Sequence, residues 1–132
     1  MIKLEIVTPE RRVVDAEVDS VTVPTVSGEA GIMPNHAPLI SALKPGVLSY
    51  AAKGASEKIA VSSGFVEVSS DKVSVLVDQA DTSADIDRSA ARSELEEAER
   101  ALSSAGQIEL DEAQPLRDRI DLAQARVAVA GS

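Results

Sequence analysis

The sequence predicts a β + α chain of two parts: an N-terminal β-sandwich of about eight to ten short strands over residues 1–84, then a C-terminal antiparallel two-helix hairpin over residues 85–132. Three observations carry this expectation. Apolar and polar residues alternate with the period of half-buried strands up to Asp81. Turn residues recur roughly every eight to twelve positions, a spacing typical of sandwiches. Composition then shifts abruptly to Ala, Glu, Arg, Leu and Gln in helical spacing.

In chain order, Ile2, Leu4 and Ile6 alternate with Lys3, Glu5 and Val7 as a first strand, which Thr8-Pro9-Glu10 ends. From Val13 to Pro24, Ala16 and Val18 face one way and the acids the other. The phase slips near Asp19-Ser20 before Val21 and Val23 resume it, which predicts a bulge or a break. A corner follows from Gly28 to Ile40. Gly28 and Gly31, then Pro34 and Pro38 flanking the only histidine, exclude a helix, because Gly adds backbone entropy while Pro fixes φ and removes a donor. Residues before proline are pushed to extended geometry, so Ile32, Met33 and Ala37 are expected on short strand ends. Glu29 and His36 are the corner's polar groups, and it reads either as a structural turn or as a binding corner.

Lys44-Pro45-Gly46 turns the chain between strands at 39–43 and 47–52. Lys53-Gly54-Ala55-Ser56 connects to a strand at 57–61, and Ser62-Ser63-Gly64 and Ser69-Ser70-Asp71-Lys72 bracket another at 65–68. Val73, Val75 and Val77 alternate with Ser74, Leu76 and Asp78. That strand is apolar on one face and nearly so on the other, which suits a central position.

In the helical part, Asp85 is the expected cap of the first helix, and Ala91, Leu95, Ala98, Leu102 and Ala105 form a narrow apolar seam. Gly106 suits the left-handed residue that ends it. Leu116, Ile120, Ala123, Val127 and Ala130 give the second helix a similar seam, with Asp111 or Gln114 as caps and a start expected near Leu110, with a weak first turn and Pro115 a turn inside. Such seams bury little area, since an Ala contributes far less than the roughly 1.5 to 3 kcal/mol of a buried Leu or Ile. The hairpin is therefore expected to be marginal alone, with packing on itself, on the β-part or on a partner close in energy. Eleven acids against six arginines mark its outer face as solvated.

Composition excludes several functions. With 44% hydrophobic residues in 132, the chain is long enough for a real core, and no apolar run reaches the roughly 18 to 20 residues that span a bilayer. No signal-peptide pattern opens the chain, which is expected to be soluble and to remain where it is made. Zero cysteines rule out disulfides and thiolate metal sites, and one histidine leaves no His-based metal cluster. A net charge of -9, with one Phe and one Tyr, disfavours nucleic acid and anionic lipid. His36 has no partner that spacing alone would assign, the paired acids Asp85 and Asp87 or Glu96 and Glu97 read as helix-terminal or solvated, and Gly28 and Gly31 lack the Lys and helix of a phosphate loop.

Three stretches in order resemble one family over the whole chain. Gly28-Glu29-x-Gly31-Ile32-x-Pro34-x-His36-Ala37-Pro38-Leu39, then Lys44-Pro45-Gly46, then Gly64-Phe65-Val66-Glu67-Val68 with Val73-x-Val75-Leu76-x-Asp78-x-Ala80, resemble the epsilon subunit of bacterial F-type ATP synthases. The resemblance implies a noncatalytic central-stalk (rotor) subunit that joins the gamma subunit to the c ring in proton-coupled ATP synthesis, peripheral at the cytoplasmic face of the bacterial plasma membrane and not inserted in it. It also implies a regulatory hairpin. Extended beside gamma beneath the catalytic beta and alpha subunits, the hairpin would block hydrolysis; folded on the β-part, it would permit it.

By motif position, Glu29 should face the c-ring loops and His36 the gamma contact, while Arg117, Arg119 and Arg126 should meet an acidic segment of the catalytic beta subunits. Some family members bind ATP through Ile or Leu, Asp, two variable residues, Arg and Ala. Here Ile86, Asp87 and Ala91 fit, but Ala90 replaces the arginine and Leu122 stands where a basic residue is expected, so ATP binding should be weak or absent and no cofactor is expected. The alternative is a free-standing β-domain for a small ligand, with the hairpin as a dimerisation element.

Overall fold

The computed structural model describes residues 1–106 and 109–131. Ten strands precede two helices: β1 (Ile2–Val7), β2 (Arg12–Val18), β3 (Ser20–Thr25), β4 (Gly28–Ile32), β5 (Leu39–Leu43), β6 (Gly46–Ala52), β7 (Ala55–Val61), β8 (Gly64–Ser69), β9 (Lys72–Val77), β10 (Ala80–Asp81), α1 (Arg88–Ser104) and α2 (Leu110–Ala130). The strands form one hydrogen-bonded path, β10-β7-β6-β3-β5-β8-β9-β1-β2, with β4 on β3. The path folds over on itself as a sandwich. At the free end of β2, the Asp19 N–H donates to the Ala51 carbonyl at 2.7 Å and brings that end back to β6.

Period-2 burial produces the core. Ile2, Leu4 and Ile6 of β1 are buried and meet Val21 and Val23 of β3, Leu48 of β6 and Val73 and Val75 of β9 in one apolar cluster. The slip between β2 and β3 is a real break at Asp19. Ala16, expected inward, pairs with Leu4 but is exposed: among the described residues β2 pairs with β1 alone, and Ala16 has only a methyl where Val14 and Val18 on the same strand are large enough to be buried. β9 is central as expected, antiparallel to β8 and parallel to β1. Gly64 allows β8 to approach β9: a Cβ there would lie 2.1 Å from the Leu76 carbonyl oxygen. Only glycine fits that contact. The β6–β7 turn is Lys53-Gly54, both at positive φ, as two-residue hairpins require.

The corner contains more regular structure than its glycines and prolines indicated. Gly28–Ile32 pairs with β3 along its whole length, Thr25↔Gly28 to Val21↔Ile32, because both glycines lie on an edge strand where missing side chains cost little packing. Met33 and Ala37 fall outside the strands.

Helix α1 begins later than expected. Asp87, not Asp85, is its N-cap and accepts the Ala90 N–H at 2.9 Å. Asp85 ends a short 3-10 turn, Ser83–Asp85, where it accepts from the Thr82 N–H and hydroxyl and from Arg11. Gly106, at φ 67°, follows the end of α1 in the expected left-handed conformation. Helix α2 does start at Leu110, but neither Asp111 nor Gln114 caps it: its N-cap is Glu109, with no side-chain hydrogen bond, and Pro115 sits inside the helix. The helices face each other through the predicted seams, with Ala91, Ala98 and Ala123 buried and Leu95, Leu116 and Ile120 half-buried. Helix α2 also has a second stripe. Ala125 and Val129 are buried with Ala60 of β7, Ile86 and Ala91, and Val47 of β6 packs against them. The hairpin is therefore folded down on the β6–β7 face. The hairpin unit expected over 85–132 includes positions 107, 108 and 132, which lie outside the described residues.

Candidate functional site

Among the described residues no group of His, Cys, Asp or Glu is placed to hold a metal, and no helix is long and apolar enough to cross a membrane. Three surfaces stand out.

The first is the corner. Glu29 is exposed on β4 opposite Pro24 of β3. It lines an open groove of about 450 Å3 between the strands and α2, together with Lys44, Asp121 and Gln124. His36 lies beyond the other end of β4, half-buried. Its backbone N–H donates to the Met33 carbonyl at 3.2 Å, and its ring Nδ1 lies 2.7 Å from the Ala37 carbonyl. A carbonyl only accepts, so Nδ1 is the donor in this contact. The fold thus places Glu29 and His36 at opposite ends of one edge strand rather than in a shared site.

The second surface is apolar, and sequence reasoning missed it. Ala42 of β5 pairs with Phe65 of β8, Phe65 with Leu76 of β9, and Leu76 with Val7 of β1, so four strands set an apolar row across the outer face of the sheet. Phe65 is 60% exposed and Leu76 56%, with Ile40 on the next row at 74%. The row borders a groove of about 630 Å3 reaching Pro9 and Ser63. Contiguous apolar side chains left in water are a feature of surfaces that meet a partner. The signal was available: Phe65 is out of phase with the buried Val66 and Val68, and Leu76 made β9 apolar on its second face.

The third is the hairpin. Arg119 of α2 donates through Nε to Glu94 Oε1 of α1 at 2.6 Å, with Glu97 Oε2 3.8 Å from its Nη2. That hydrogen bond holds the Glu94 carboxyl below its ordinary range and raises Arg119. Arg126 pairs with Asp81 of β10, the pair being 23% and 17% exposed. Arg117 is exposed, with no ion pair among the described residues. Arg88 Nη2 donates to the Ala130 carbonyl at 3.1 Å and ties the start of α1 to the end of α2. Asp85 is held below its ordinary range, first by the Thr82 amide and then by Arg11, whose Nη2 lies 2.8 Å away.

The residues matching the ATP motif serve the fold in this conformation. Ile86 and Ala91 are buried under α2, Asp87 caps α1, and Ala90, where the arginine would be, is exposed.

Comparison with known proteins decides the family. Residues 1–83 match the model of the ATP synthase, Delta/Epsilon chain, beta-sandwich domain. An ATP synthase epsilon chain of Anaeromyxobacter sp. (strain K) is 42% identical over 129 residues, covering 97% of this chain and 96% of its own. The chain belongs to the ATP synthase epsilon chains. The epsilon chain of Carboxydothermus hydrogenoformans is 50% identical over 102 residues, covering 77% of this chain and 76% of that one. Among solved structures, a chain of the Euglena gracilis mitochondrial ATP synthase, OSCP/F1/c-ring in rotational state 1, superposes with a TM-score of 0.76 at 26% identity, over 98% of this chain and 80% of that one. A chain of the Tetrahymena thermophila mitochondrial ATP synthase central stalk and c ring shares the fold, at TM-score 0.63 and 16% identity over 98% and 96%. The epsilon-chain assignment thus rests on both parts, because the Anaeromyxobacter relative aligns through the hairpin as well as the sandwich.

Proposed function

We propose that this chain is the noncatalytic central-stalk subunit of an ATP synthase, that it joins gamma to the c ring, and that its hairpin restrains ATP hydrolysis when it leaves the β-part. The apolar row Ala42, Phe65, Leu76 and Val7 carries the reading. It offers a partner a flat, preformed apolar contact, while the buried side of the same strands keeps that contact rigid; gamma is the proposed occupant. Glu29 and His36, at the two ends of β4, are proposed to meet the c-ring loops and gamma. The complex would work at the cytoplasmic face of the bacterial plasma membrane, held there through its partners.

The hairpin's role is supported by how little holds it down: apart from Val129 and Ile86, its buried contact with the sheet consists of alanines. Removing residues 85–132 should stimulate hydrolysis by the assembled enzyme. Co-purification with gamma should be lost in Phe65→Ser while the melting temperature stays unchanged. A stable homodimer that never captures gamma would overturn the reading in favour of a free-standing ligand-binding domain.

A further inference from the structure

We propose that Asp81 is a built-in competitor for Arg126, so that docking of the hairpin and capture of Arg126 by an outside carboxylate exclude each other. The inference rests on the functional reading above, in which the hairpin leaves the β-part to restrain hydrolysis. The three arginines of α2 are held differently. Arg119 is bound to Glu94 and Glu97 of α1, partners within the hairpin that travel with it. Arg117 is exposed. Arg126 alone is bound across the boundary: among the described residues, Asp81–Arg126 is the one ion pair joining a helix to a strand. Its carboxylate is fixed, since Asp81 ends β10, pairs with Ala60 of β7, and accepts a second hydrogen bond from Gln79 Nε2 at 2.8 Å.

Most of this pair is shielded from water, and the apolar cluster of Ala60, Ile86, Ala91, Ala125 and Val129 lies on the same β7 face. Charge-assisted contacts of this kind are stronger than exposed pairs. Arg126 therefore reports docking: it is ion-paired with Asp81 while the hairpin is down and loses that pair once the hairpin leaves. An acidic partner segment that binds the hairpin must first displace Asp81, which lowers its apparent affinity by the docked fraction.

The two members of the pair then differ in sign. Losing the carboxylate undocks the hairpin and frees Arg126; losing the guanidinium undocks it and removes the cation that the partner would hold. Asp81→Asn and Arg126→Gln in the full chain should each raise the undocked fraction about tenfold, read by energy transfer between dyes at Lys53→Cys and Ser104→Cys, since the chain has no cysteine of its own. In the assembled enzyme Asp81→Asn should slow ATP hydrolysis, whereas Arg126→Gln should not. The exchanged pair Asp81→Arg with Arg126→Asp should restore docking, which separates loss of the pair from misfolding. An undocked fraction unchanged in Asp81→Asn, or hydrolysis moving the same way in both single variants, would overturn the proposal. If deleting residues 85–132 leaves hydrolysis unchanged, the functional reading itself fails, whatever the docking measurement gives.

Discussion

Truncating Val129 to alanine should release the hairpin without loosening the β-part. Val129 is fully buried, and its neighbours at the docking contact are Ala60, Ala91, Ala125 and Ile86. Val129→Ala removes two methyl groups, about 0.8 kcal/mol each, or about 1.6 kcal/mol in all. The cavity term adds to this, because alanines have no side-chain freedom with which to fill the space. The docking constant should therefore fall at least about fifteenfold. Hydrogen exchange on the full chain reads the effect: protected amides of α2 and of the β7 segment beneath it should exchange faster, while those of β1 and β9 keep their wild-type rates. Leu48→Ala provides the contrast, since Leu48 is buried in the sandwich core and its loss should cost about 2 to 5 kcal/mol and accelerate exchange everywhere. Equal acceleration of β1, β9 and α2 in Val129→Ala, or none in α2, would refute the reasoning.

Glu29→Ala and His36→Ala should weaken assembly or coupling in the holoenzyme yet leave the melting temperature nearly unchanged, because neither side chain belongs to the core; wild-type assembly and coupling in both would make the corner merely structural. Neutralising Arg117, Arg119 and Arg126 together should raise ATP hydrolysis, most clearly at low ionic strength, and an unchanged rate and salt profile would remove them from the mechanism. Calorimetric titration of the chain with MgATP should show weak binding or none, since the missing arginine removes about 1.5 to 3 kcal/mol; saturation in the micromolar range would contradict this. The melting temperature should fall in acid. The Thr82 amide and Arg11 lower Asp85, and Arg119 lowers Glu94, so both carboxylates bind fewer protons folded than unfolded. Their contribution is complete above about pH 4 to 5 and is lost as the pH falls through the lowered values, so Asp85→Asn with Glu94→Gln should flatten the acid limb of melting temperature against pH.

Strand positions were legible because the period-2 pattern and the turn residues agree. Ile2, Leu4 and Ile6, the break at Asp19 and the Lys53-Gly54 turn all follow from local chemistry. The helical seams were legible for the same reason, as was Gly106. What local pattern could not supply is the identity of the neighbour. Asp85 and Asp87 are equivalent as caps in sequence, and the choice falls to Asp87 because Thr82 and Arg11, which is distant in sequence, claim Asp85. The second stripe of α2 was hidden because Ala125 and Val129 interleave with the first and become apolar contacts only once β6 and β7 lie beneath them. The site was less legible than the fold. Glu29 and His36 share a motif but not a location, and the partners of Arg119 and Arg126 depend on how the hairpin folds back.

The parallel pairing of β1 with β9 bears on how the chain folds as it is made. Lys3 lies opposite Lys72 and Val7 opposite Leu76, so one edge of the first strand stays open until the ninth has been synthesised. At roughly 5 to 20 residues per second that wait lasts about 4 to 14 s, during which only the antiparallel contact with β2 is available. Such distant closure makes sheet completion slow. The backbone edge of β1 that β9 later covers stays unpaired over that interval, and an open strand edge is a place for mispairing with a second nascent copy.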